Sequence, residues 1–456
     1  MKNGIRAYFI LLACLGILFF SCATKPEVYS GIDSAVDRNE FEQAVEVLKK
    51  GQEGKKPIYP EKNAVSLFLD KGLLEHYAGN YANSSQDLQE AERLIQEAFT
   101  KSVTQDIASY VANDNTKEYP GEDFEDIYIN VFNALNYYNK GDIDGALVEI
   151  RKLTLSSGKL DMLSRKYEDA RRSAGDGVMN TLSKVGLSMN DALPQGDPVN
   201  FSNSALARYL SVLFYLSNGN TDGARIESEQ LKAAFAANTK VYYQPIPKSV
   251  EDIQTVPAGK ARLNVIGFAG LSPVKEEGQF TGYFPFTYQV LQQPVFKLPK
   301  FVKRPSVIDR IEVVVEGGDK FDLELLEDMG AVVEETYNAR FANLFFKTFI
   351  RVLIKYAAVD VSANIARDRG GSYGELAGIS AAVAGKATAD ASEGADIRMS
   401  RYMPDKAYVG KIDLEPGTYN LTINYYSGSR HVAKEERKDI VVKAGAPNLI
   451  ETVNLR

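Results

Sequence analysis

Hydrophobic and polar positions repeat at helical spacing through the first half of the chain and shift to strand-like alternation beyond residue 261. The helical pattern is plainest from Ile127 to Leu153, where an amphipathic run meets a corner at Gly141-Asp142 and a second run follows. Ala134 and Tyr137 precede the corner glycine by seven and four residues. Ile143, Ala146, Ile150 and Leu153 follow it at two, five, nine and twelve. These offsets are tetratricopeptide-like, with small residues where two helices cross and larger ones as wedges between neighbouring hairpins.

The offsets recur around Asn39 (Ile32, Ala35, Phe41, Ala44, Leu48), Gly79 (Gly72, Tyr81, Ser84, Leu88, Ala91) and Gly219 (Val212, Tyr215, Ala224, Leu231), with Glu75, Thr221 and Ser228 departing from them. The corners do not keep the ~34-residue period of a regular array, so inserted helices are expected at 101–112 and 161–185. The spacing predicts an irregular helical-hairpin solenoid over residues 32–235. An ordinary bundle with glycine-capped helices is the alternative.

In such a stack the first helix of each hairpin lines the concave face. That places His76, Tyr77, Tyr128, Tyr138, Asn139 and Tyr209 on a wall suited to an extended peptide or glycan, since tyrosine offers contact area and a hydroxyl at low entropic cost. Packing of these residues against the inserted helices is the competing reading.

Residues 236–261 contain Pro245, Pro247 and Pro257 and no sustained period, which reads as a linker. Beyond it, strands are expected at 262–269, 283–290, 311–315, 418–425, 439–442 and 449–455. The clearest alternation follows the Glu415-Pro416-Gly417 turn. The predicted fold is therefore α+β and multidomain: an all-α tetratricopeptide-like N-terminal solenoid and a C-terminal α+β domain, 262–456, with a sandwich-like antiparallel sheet.

Two helices interrupt that domain. Residues 340–367 are strongly apolar (Phe345, Phe346, Phe349, Ile350, Leu353, Ile354) with a basic stripe of Lys347, Arg351 and Lys355, which fits a central helix with one wet edge or a membrane-surface helix. Residues 374–391 place Gly374, Gly378, Ala382, Gly385 and Ala389 on one face. That face serves either close packing on the preceding helix or self-association through Gly374, Gly378 and Ala382.

Length and charge narrow the picture. A chain of 456 residues exceeds one core, and 53 basic against 60 acidic residues argue against nucleic acid as the main partner. Lys2 and Arg6, the apolar run Ala7 to Phe20, and Ser21 before Cys22 make residues 1–21 resemble a bacterial lipoprotein signal. Cys22 is the expected lipid acceptor because polar sequence begins directly after it. Cys14, behind Leu11-Leu12-Ala13, competes, and an uncleaved anchor is the alternative. Acylation of Cys22 would leave no thiol in the mature chain. By resemblance to lipoprotein sorting, Ala23 directs the product to the outer membrane, with residues 22–31 as a tether.

Chemistry is sparse in the sequence. The two histidines, His76 and His431, fall in different halves and outside any metal-binding pair, and Gly370–Gly374 lacks the Gly-Lys-Ser/Thr of a phosphate loop. No catalytic residue, cofactor or metal is predicted.

Four stretches together resemble a family of uncharacterised bacterial lipoproteins with a tetratricopeptide-like N-terminal half. They are Phe124–Leu153, Gly270-x-x-Pro273-x-Lys275, Ala395-Asp396-Ile397-Arg398 leading to Met403-Pro404, and Leu414-Glu415-Pro416-Gly417-Thr418-Tyr419. Where that family shows Ser-Trp after the arginine, this chain has Met399-Ser400. The resemblance implies architecture and location. The expectation is a lipid-anchored, non-catalytic periplasmic scaffold that binds an envelope protein or peptide through its helical groove. A peptidoglycan-binding or wall-modifying lipoprotein acting through its C-terminal domain is the alternative.

Overall fold

The computed structural model describes residues 26–103, 117–155, 158–163, 165, 201, 203–304 and 306–456. The signal segment, Cys14, Cys22, the first tether residues and most of both expected inserted helices lie outside them. From Pro26 onward the expected tether is already helical.

The N-terminal half is helical and the C-terminal half is built on β-sheets. Eight helices pair as hairpins at the four corners marked in the sequence. They are α1 (Pro26–Asp37) with α2 (Phe41–Gln52), α3 (Ala64–Tyr77) with α4 (Tyr81–Val103), α5 (Asp123–Asn139) with α6 (Ile143–Thr154), and α7 (Ala205–Ser217) with α8 (Thr221–Ala237). The corner residues Asn39, Gly79, Gly141 and Gly219 all adopt positive φ, between 55° and 80°. This left-handed step ends the first helix of each pair, and glycine takes it without steric cost. At Gly141 the turn closes through Asp142 N donating to the Tyr137 carbonyl, and the Asp142 side chain then caps α6 by accepting from Gly145 N.

Residues 236–261 are not a free linker. Val241, Tyr242, Val250 and Ile253, with a short helix α9 (Lys248–Glu251) between them, are buried in a cluster that spans both halves. Tyr128, Phe132, Tyr209 and Phe214 from the helices share that cluster with Ile266, Phe268, Met403 and Val409 from the sheet region. One core joins what the sequence suggested were separate domains.

The strands form three sheets. The first orders β10 (Leu449–Asn454), β1 (Ala261–Leu271), β7 (Pro404–Leu414) and β6 (Glu324–Asp328), with β10 and β1 parallel. The second orders β5 (Lys320–Asp322), β4 (Arg310–Val315), β8 (Gly417–Ser427) and β9 (Arg430–Val442), all antiparallel. Alternate residues of β1 explain its continuous burial: Leu263 and Val265 pack on the second sheet, while Ile266 and Phe268 pack on the helices. The third sheet pairs β2 (Val274–Thr281) with β3 (Val295–Val302). The expected strand at 283–290 is absent. Phe284, Phe286 and Tyr288 instead cross as an irregular segment against the long helix that follows.

That helix, α10 (Met329–Arg369), runs 41 residues and returns as α11 (Gly374–Ser392). The two form a hairpin arm, and Arg351 and Lys355 of the expected basic stripe both bind Glu393 inside it. Two of the three cations assigned to a membrane surface are therefore consumed within the fold. Gly374, Gly378 and Ala382 are also buried, and a β-carbon at Gly378 would lie 2.2 Å from the Tyr288 hydroxyl. The small-residue face is filled by the chain itself and is closed to self-association. No described helix is long and apolar enough to cross a membrane.

Candidate functional site

All six residues projected onto the concave wall meet the C-terminal half of their own chain. Tyr128 donates to Glu327 at 2.7 Å, Tyr209 to Asn264 at 3.2 Å, and Tyr77 to the Tyr402 carbonyl at 3.0 Å. The Tyr138 hydroxyl accepts from Leu449 N at 2.8 Å and its ring stacks on Phe214. His76 bridges Asn136 (2.7 Å) and Glu451 (2.9 Å), and Asn139 donates to the same Glu451. The wall's occupant is β1, β6, β10 and the strap, residues 393–403, that leads into β7, so the expected open groove is corrected to an internal seam. Burial lowers the affinity of His76 for a proton, but Glu451 and the Asn136 hydrogen bond together more than offset this and leave its pKa raised.

Three buried carboxylates on the helices or facing them hold the seam. Asp70 of α3 accepts from the Tyr59 hydroxyl (2.6 Å), the Ser400 hydroxyl (2.7 Å) and Arg401 N (2.8 Å). Glu125 of α5 accepts from Tyr119, from Glu122 N and from Ser400 N. Glu327, placed by a bulge in β6, accepts from Tyr128, Tyr242 and Ser204, and from Leu206 N at the start of α7. Burial raises the pKa of all three, that of Glu125 to about 7 with help from Glu122 beside it. Sequence reading missed them. Asp70 directly follows Leu67-Phe68-Leu69 and precedes Lys71, an order that does not set it apart from a solvated carboxylate; its burial comes from tertiary contacts.

Arg398 completes the strap. It pairs with Asp396 at 2.7 Å, donates to the Lys117 carbonyl and lies over the Tyr119 ring. It is therefore a structural fastener between the strap and the segment before α5.

One stretch of the wall stays open. Beside Tyr138 and Asn139 a cleft of about 490 Å³ separates the α5–α6 corner from the β9–β10 turn. Its walls include Ile143, Leu263, Ile440, Val441 and Pro447, and Val441 is 54% exposed. The floor is rigid because Asn448 accepts from Lys443 N and donates to the Arg262 and Lys443 carbonyls. Lys443 is exposed at the rim. The described lining contains no carboxylate, histidine or cysteine, so it offers apolar contact, the neutral polar groups of Tyr138, Asn139, Ser217 and Asn448, and one cation. Among the described residues, no group of three acidic, histidine or cysteine side chains could hold a metal ion. Gly141 and Ile143 were marked only as corner residues and Leu263, Ile440, Val441, Leu449 and Ile450 only as strand positions; their meeting around one cleft comes from tertiary contacts.

No protein-family model matches this chain, and neither the curated proteins nor the solved structures yield a match.

Proposed function

We propose that this protein is a lipid-anchored scaffold of the bacterial cell envelope, held to the outer membrane through Cys22 and facing the periplasm, that binds an extended peptide segment of another envelope protein without catalysis. In this reading the four hairpins are a tetratricopeptide-like stack whose concave side is occupied by its own C-terminal half. Partner binding is confined to the part of that side left open. The observation that carries it is the cleft beside Tyr138 and Asn139, whose volume falls in the range of binding pockets. Its apolar walls fit a branched aliphatic side chain, and Lys443 fits a neighbouring carboxylate on the same peptide.

A photo-crosslinking residue at Val441 of the full-length chain in intact cells tests this. One envelope protein is expected as the dominant adduct. Ile143→Asp should reduce it about tenfold or more, since the variant puts a charge on an apolar contact. Lys443→Glu should reduce it about threefold, the scale of a rim charge. An adduct unaffected by Ile143→Asp, or the same products from a crosslinker at exposed Val28, would refute the assignment.

A further inference from the structure

The arm formed by α10 and α11 leaves a second surface unexplained by the cleft. With Gly378, Ala382 and Ala389 turned inward against α10, a solvent-facing side of α11 carries Leu376, Ile379 and Val383 at positions i, i+3 and i+7. They are 64%, 50% and 50% exposed, and Tyr373 at the helix start is 76% exposed. Single exposed aliphatics are ordinary, but an aligned stripe ending in an exposed tyrosine marks an interaction face.

The charges beside the stripe identify its occupant. Glu375 precedes it and Lys386 follows it, eleven residues later, which is about three helical turns, so both lie on the same flank. A two-fold axis near Ser380 that pairs two α11 helices antiparallel brings Glu375 of each copy beside Lys386 of the other. It stacks the two aliphatic stripes and sets each Tyr373 over the small, exposed Ala387 of the other copy. Lys386 already donates to Asp390 at 2.7 Å and to the Tyr356 hydroxyl at 2.9 Å, leaving its third N–H for this pairing. A lipid surface fits less well. The arm's tip carries Arg367, Asp368, Arg369 and Glu375, mixed charges that insertion would drag out of water and that do not form the basic collar of an interfacial helix.

The geometry points to a second copy of this chain as the partner of α11, docked antiparallel through Leu376, Ile379 and Val383. A single-helix stripe covers a few hundred Å², short of the ~800 Å² per partner of a standard interface. The pairing is therefore reversible and strengthens when copies are concentrated on a surface. The inference does not depend on the cleft.

Full-length chains carrying Ser380→Cys or Thr388→Cys, oxidised in cells with copper phenanthroline beside the parental chain, test it. Position 380 lies at the two-fold axis, whereas position 388 is exposed on a different flank of the same helix. Covalent dimer should exceed that of the Thr388→Cys chain about tenfold, and Ile379→Glu should abolish the difference by charging the centre of the stripe. Glu375→Lys should lower the yield, and the double exchange Glu375→Lys with Lys386→Glu should restore it. Equal cross-linking at 380 and 388, or dimer insensitive to Ile379→Glu, would overturn the proposal. A Ser380→Cys chain that forms no dimer yet resists a water-soluble maleimide would also overturn it, assigning the face to lipid or to another protein.

Discussion

Replacing Glu327 with alanine is expected to lower the free energy of unfolding by about 3–5 kcal/mol, the range for removing one member of a buried hydrogen-bonded set. The carboxylate is fully buried and accepts from Tyr128, Tyr242, Ser204 and Leu206 N. Truncation strands the Tyr128 and Ser204 hydroxyls and Leu206 N, and leaves Tyr242 only the Asn203 carbonyl at 3.1 Å, in a seam with no described cation to compensate. Glu327→Gln should cost less, about 1–2 kcal/mol, because the amide oxygen keeps part of the set while its NH2 opposes a donor. Tyr128→Phe should cost about 1.5 kcal/mol, the lower end for one hydrogen bond to a carboxylate. Urea unfolding followed by circular dichroism orders the three. An alanine variant within about 1 kcal/mol of the parent would mean that water reaches the seam and satisfies those donors.

Raising the pH from 4.5 through 7 is expected to destabilise the fold. Glu125 titrates near 4.5 when unfolded and at about 7 in place, held up by burial and by Glu122. A group raised in the folded state contributes its full stability below the unfolded value and loses it as pH climbs through the folded one. The loss is at most about 3 kcal/mol. Asp70 and Glu327 are shifted in the same direction, as is Asp405, to about 6. Glu92 runs the other way. Burial would raise it, but Lys159 and Lys152 hold it at about 2, so its contribution is present above 4.5 and fades as pH falls toward 2. Thermal unfolding between pH 5 and 8 should therefore show a falling Tm, and Glu125→Gln should flatten that fall. An unchanged slope in the glutamine variant would place the titrating group elsewhere.

The four corners were legible because the signal is local: one residue able to take positive φ, small residues at fixed offsets and a polar cap. The strand at 418–425 was legible for the same reason, through its strict alternation. The segment 283–290 misled because Phe284, Phe286 and Tyr288 also alternate, yet Pro285 between them and the packing of all three on α10 favour an irregular path. The strand β7 escaped notice because Lys406, Gly410 and Lys411 break its apolar rhythm, and its burial comes from β1 and β6 on either side. The largest error concerned the wall. Its residues find their partners far along the chain, 199 residues away for Tyr128 and Glu327 and 375 for His76 and Glu451. Periodicity reports which face of a helix is reserved and is silent on what fills it. A chain with its own sheet to cover supplies the filling itself.

The central claim is that the helical half is closed over its own C-terminal half. Hydrogen exchange at the amides of Arg401 and Leu449 tests it most directly, because these donate across the seam to Asp70 and Tyr138. Both should exchange as slowly as the buried amides of α5, and both should quicken together with α5 in the Glu327→Ala chain. Rapid exchange at Arg401 and Leu449 beside a protected α5 would contradict the claim and return the wall to an open groove.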